Sequence, residues 1–131
     1  MTEKEVSGLL DEYRAAPENI EAAKIRLKYW RGVGGPVADE EVRRLECRIV
    51  ALQSLMAAVE RALERLPKLQ RNILQQRGEN VPWWKVARKE NYSVRSCQVY
   101  FGRAMKSLAG SSVLLKYVSE RGSSENTDMR E

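Results

Sequence analysis

The chain has 131 residues, of which 43% are hydrophobic and 31% charged, and carries a net charge of +5. Such a composition suits one or two small cores in a soluble protein, and no apolar run approaches the ~20 residues that a bilayer-spanning helix needs. There is no histidine, which removes histidine-based catalytic triads and histidine metal sites, and two cysteines alone would need carboxylate help to hold zinc.

The opening residues, MTEKEVSG, lack the apolar stretch of a secretory leader, so the expected location is the cytoplasm. From there Val6, Leu9, Tyr13, Ala16, Ile20, Ala23, Leu27 and Trp30 alternate at spacings of three and four, a heptad seam. Pro17 interrupts it, predicting a kink or a break with Pro17 at the first position of a second piece. RGVGGPVAD must turn the chain, and Asp39 followed by Glu41 and Val42 marks the next expected helix start. GVGGP lacks the Lys-Ser/Thr of a phosphate loop and reads as an interhelical turn.

A second seam of equal length follows: Val42, Leu45, Ile49, Leu52, Met56, Val59, Leu63 and Leu66. Each seam would be about 37 Å long at 1.5 Å per residue. The simplest structure for residues 1–65 is an antiparallel, coiled-coil-like helical hairpin. Leu10, Ile25, Tyr29, Val50, Leu55 and Ala58 lie off the seam and need cover. One solution is a homodimer packed as a four-helix bundle, with Leu45, Ile49, Leu52, Met56, Val59 and Leu63 as its oligomerisation seam. The other is packing against the chain's own C-terminal domain. Cys47 and Cys97 lie in different segments without C-x-x-C spacing and are expected to be buried, reduced thiols.

Residues 66–118 punctuate themselves into three short helices, the spacing of a helix-turn-helix. Pro67 opens the first, with Leu69, Ile73 and Leu74 as its apolar stripe, and Arg77-Gly78-Glu79-Asn80 ends it. Pro82 opens the second, in which Trp83, Val86 and Ala87 share a face. Trp84 points elsewhere, either onto the N-terminal helices or to a surface meeting DNA phosphate or RNA polymerase. After a turn at Glu90-Asn91-Tyr92, Ser93 is a good N-cap for a helix running to about Leu108. Cys97, Phe101, Ala104 and Leu108 form its buried stripe, flanked by Val94, Tyr100 and Met105.

The opposite side of that last helix is nearly free of acidic groups. Arg95, Ser96, Gln98, Val99 and Gly102 are the candidate base readers: Arg pairs bidentately with guanine, Gln with adenine, and Val meets a thymine methyl. Ser93, Lys85, Arg88, Lys89, Arg103 and Lys106 are the candidate phosphate contacts. Gly102 is costly in a helix, so either another element or a DNA backbone comes close there. Residues 66–118 hold ten Lys or Arg against Glu79 and Glu90, a local net charge of +8 in a chain of +5. A basic patch could also meet an anionic membrane or an acidic protein; the tri-helical spacing favours double-stranded DNA. Residues 119–131, almost without apolar side chains, read as a disordered tail.

The run WWKVARKENYSVRSCQVYFGRAMKSL resembles the C-terminal domain of RinA/ArpU-like phage transcriptional regulators, itself similar to the promoter-reading region four of bacterial sigma factors. The resemblance is carried by Leu66-Pro67, Trp83 ahead of Val86-Ala87, Tyr92-Ser93, the apolar position at Cys97, and Ala104 with Leu108. Lys85 stands where such proteins often carry an acidic residue, and Cys97 where an aliphatic is usual. The resemblance implies a late-gene activator working in a bacterial host at a promoter with RNA polymerase.

Taken with the residues, the expectation is an all-α, non-enzymatic transcriptional regulator with no cofactor, no small-molecule substrate and no membrane partner. The alternative is a phage small terminase subunit, which joins a helix-turn-helix to a ring-forming helical region for DNA packaging. A ring of eight or more chains would mark the terminase, and a monomer or dimer the regulator.

Overall fold

A computed structural model describes the backbone of residues 1–130 and the side chains of residues 1–121. Among the described residues the chain is all-α, with six helices and no strand: α1 (Glu3–Val33), α2 (Pro36–Glu64), α3 (Lys68–Gly78), α4 (Trp83–Glu90), α5 (Val94–Ala109) and α6 (Ser112–Arg130). No described helix is long and apolar enough to cross a membrane.

The two long helices differ in detail from the sequence expectation. Pro17 lies inside α1 without breaking it. A proline in a helix interior costs roughly 3 kcal/mol. Ala16, Ile20, Ala23 and Leu27 are all buried around it, and each large aliphatic contributes about 1.5–3 kcal/mol, so burial outweighs the lost hydrogen bond. The turn is only Gly34-Gly35, both at positive φ (72° and 95°), where a β-carbon would be strained. Pro36 therefore starts α2, three residues before the expected Asp39, in the position where a missing N–H is harmless.

The chain divides into two compact units, one made of Asp11–Ala57 and the other of Met1–Leu10 with Ala58–Glu131. The division falls within α1 and α2, not at the expected 65/66 boundary. In the first unit Ile20, Ala23 and Leu27 of α1 pack with Leu45 and Ile49 of α2, and Trp30, Val42, Leu52 and Met56 lie against them. The heptad seam is thus used within the chain. Leu45, Ile49, Leu52 and Met56, expected to hold two copies together, are occupied by their own α1, and Val59 is buried and Leu63 half-buried. The off-seam residues separate: Leu10, Leu55 and Ala58 are buried, whereas Ile25, Tyr29 and Val50 are exposed. Cys47 is exposed too, contrary to expectation, because it sits about 200° round the helix from Leu45.

In the second unit α3, α4 and α5 enclose a core of Ile73, Val86, Ala87 and Cys97, with Leu69, Val81, Trp83, Tyr100 and Phe101 packed on it. Val6, Leu9, Ala62, Leu66, Leu108 and Leu114 are also buried. Arg65 Nη1 donates to Ser112 Oγ at 3.4 Å. The helix α6 runs through residues 119–130, where composition predicts disorder; residue 131 lies outside the described residues. A helix nucleated beside buried Leu114 extends by one backbone hydrogen bond per added residue, with no proline to stop it.

Candidate nucleic-acid interface

The placement of α5 begins with the punctuation around it. Pro67 and Pro82 are extended N-caps of α3 and α4, one residue before the expected first helical position. α4 ends on Asn91 in the left-handed region (φ 62°), and Asn80 (φ 61°) follows the Glu79 cap of α3. At the end of α4 the Tyr92 N–H donates to Ala87 O at 3.1 Å, closing the terminus. Asparagine tolerates this conformation better than other non-glycine residues. Three residues, Asn91-Tyr92-Ser93, therefore suffice to join α4 to α5.

Ser93 caps α5 as the sequence predicts: its Oγ accepts from the Ser96 N–H at 3.0 Å. The same hydroxyl donates to Ser96 Oγ at 2.9 Å. These two candidate contact residues are thus tied to each other, and Ser96 is half-buried. Arg95, Gln98, Arg103 and Lys106 are exposed, as is Val99 at 45%. On the inner side Cys97, Ala104, Met105 and Leu108 are buried, while Phe101 is only half-buried and Val94 is exposed. Gly102 is half-buried, yet a β-carbon there would meet nothing within 4 Å. Among the described residues no neighbouring element accounts for it.

The second helix contributes a matching face. Lys85, Arg88 and Lys89 are exposed on α4, and Trp84 stands 58% exposed among them with the Lys85 ammonium 5.4 Å from its ring. Of the two placements the sequence left open for Trp84, the exposed one is found: it lies about 100° round from inward-facing Trp83 and points to solvent. Arg103 lies over Tyr100 at 5.5 Å, and Tyr100 meets Tyr92 edge-on at 5.5 Å, which restrains one cation on the α5 surface.

Two features of the site were not read from the sequence. Gln76 of α3, only 6% exposed, donates through Nε2 to Glu90 Oε1 at 2.8 Å and to Asn72 O at 3.2 Å. One of the two acidic residues of this region is thereby engaged with α3, which removes a carboxylate from the cationic face. Arg77 is likewise turned to structure, lying 4.5 Å over Trp83 and donating to Val81 O at 2.9 Å. Trp83 in turn meets Phe101 edge-on at 5.6 Å. A buried glutamine at helical spacing from apolar Ile73 and Leu69 was the available signal for the first tie. Burial raises the Cys97 thiol pKa, and the Glu90 charge raises it further, so this thiol stays protonated at neutral pH.

Among the described residues no three His, Cys, Asp or Glu side chains gather to hold a metal ion. Comparison with protein-family models, curated proteins and solved structures finds no match.

Proposed function

We propose that this chain is a sequence-specific DNA-binding transcriptional regulator. In this reading α4, the three-residue turn and α5 act as a helix-turn-helix, with α5 in the major groove and α4 crossing the phosphate backbone. The observation that carries it is the outer surface of α5, capped by Ser93 and presenting Arg95, Gln98 and Val99 to solvent with no acidic residue on the helix. Arg95 and Gln98 lie within the first two turns, where a recognition helix meets base edges, and neither is needed to hold α5 in its own core. Lys85, Arg88, Lys89, Arg103 and Lys106 supply the sequence-independent attraction. Ser93 and Ser96 contribute mainly to the cap, a narrower role than base or phosphate contact.

The resemblance to phage regulators extends this reading to action at a promoter in a bacterial host, with RNA polymerase as a further partner. If the protein pairs over two half-sites, Leu45 and Ile49 are not free for the contact, being buried against α1, whereas Leu52 and Met56 are only partly covered.

Duplex binding measured by fluorescence anisotropy across a salt series tests the proposal. Affinity should fall steeply with salt, and Lys85→Ala, Arg88→Ala or Lys89→Ala should each weaken all sequences alike and lower the salt slope by about one. Salt-independent or undetectable duplex binding would refute a DNA-binding role.

A further inference from the structure

Ile25, Tyr29 and Val33 follow one another at four-residue spacing on α1, and all three stand open, Ile25 at 70% and Tyr29 at 65%. Ile25 lies about 160° round the helix from both Ala23 and Leu27, which pack on α2, so this side of α1 faces away from its own partner helix. Tyr29 is not loose: its ring meets Trp30, which lies on that core, edge-on at 5.3 Å. A contiguous apolar stripe held open in this way marks a contact surface. Glu21 and Lys28 border it on one side, about 40° and about 60° round from Ile25. The neighbours of Lys28 three and four places away are Lys24, Ile25, Arg31 and Gly32, so its own helix offers it no carboxylate. Among the described residues Lys28 has no ion-pair partner, and Glu21 has only Lys24, at 3.7 Å and largely exposed.

We propose that a second copy of this chain covers the stripe, the two α1 helices packing antiparallel with Ile25 on the two-fold axis. Such a two-fold sets each flank of one helix against the same flank of the other. Lys28 then lies about 4.5 Å from the axis and Glu21 of the second copy about 6 Å from it in the same direction, at about 1.5 Å per residue. The two therefore meet, and they do so twice. On the other flank exposed Ala22 meets Tyr29 of the second copy by the same arithmetic, a small side chain against a large one. A parallel pair would instead set Glu21 against Glu21 and Lys28 against Lys28, which repel. The order acidic, apolar, basic along one face is thus complementary to itself reversed, and that self-fit is what selects a second copy as the occupant. Lys24 and Arg26 lie about 100° from Ile25 on either side, at the rim, the first beside Glu21 and the second lining the groove between α1 and α2 with Glu41. The contact uses neither the buried Leu45 and Ile49 nor α4 and α5, so it stands or falls independently of the DNA-binding reading.

The test is sedimentation velocity on the full chain, without DNA, over a concentration series. The native protein should reach twice the mass of its 15.0 kDa chain, and Ile25→Asp should raise the dimer dissociation constant about tenfold or more. If that variant loses helicity by circular dichroism, Ile25→Ser replaces it, with the same direction expected. Lys28→Glu and Glu21→Lys should each weaken the dimer about fivefold, and the double variant Glu21→Lys/Lys28→Glu should restore it, because reversing both charges rebuilds the antiparallel pairs. A native chain that stays monomeric at every concentration, a ring of more than two copies, or a dimer indifferent to Ile25→Asp would overturn the proposal. So would single charge reversals without effect, or a double variant no better than either single one.

Discussion

Gly102 is the residue at which folding and binding make opposite demands. A glycine in mid-helix costs about 1 kcal/mol relative to alanine, and open space surrounds the position where a β-carbon would stand. Among the described residues no atom comes close enough to need the glycine, while a close-lying DNA backbone would. Gly102→Ala should therefore raise stability in urea denaturation by about 0.5–1 kcal/mol and at the same time weaken duplex binding. A variant that gains stability and binds DNA unchanged would place the α5 backbone away from the duplex at that point. Single residues were also where sequence reading failed most often. The inward turn of Glu90 onto Gln76 depends on α3 and α4 being neighbours, which neither helix announces alone. Cys47 was misread although its angular distance from the seam was available, because cysteine is usually buried and that prior outweighed the geometry.

At the scale of elements, α3, α4 and α5 were legible because their ends are written in local chemistry: two prolines, the Ser93 hydroxyl and two asparagines. Such signals act within a few residues and need no tertiary partner. The long helices were less legible at Pro17 and Pro36, where burial of neighbours and the freedom of Gly34-Gly35 decided the outcome. The turn at Asn91 sets how α5 leaves α4, and its left-handed φ of 62° is the constraint that holds it. Asn91→Gly should be close to neutral, whereas Asn91→Val should cost about 1–2 kcal/mol in thermal or urea unfolding. The β-branched variant should also bind DNA less tightly than its stability loss explains, since α5 would be re-aimed. Equal stability of the two variants would show that the turn is not under this constraint.

Over the whole molecule, charge is partitioned by unit. The Asp11–Ala57 unit is neutral, while residues 66–118 carry +8 within a chain of +5, so the attraction for a polyanion is concentrated around α3, α4 and α5. This partition was readable from the sequence because charge is additive along the chain. The division into units was not, since the heptad spacing continues along both α1 and α2 and only the contacts of the folded chain group Met1–Leu10 with Ala58 onward. The central claim is that α5 reads base edges, and Arg95 tests it most directly. Selection from a random duplex library should return one enriched motif for the native protein. Arg95→Ala should bind that motif about 1–3 kcal/mol more weakly and lose preference at one base pair, with unfolding unchanged. Selection of the same motif by Arg95→Ala, at undiminished affinity and with undiminished preference at every position, would contradict the account.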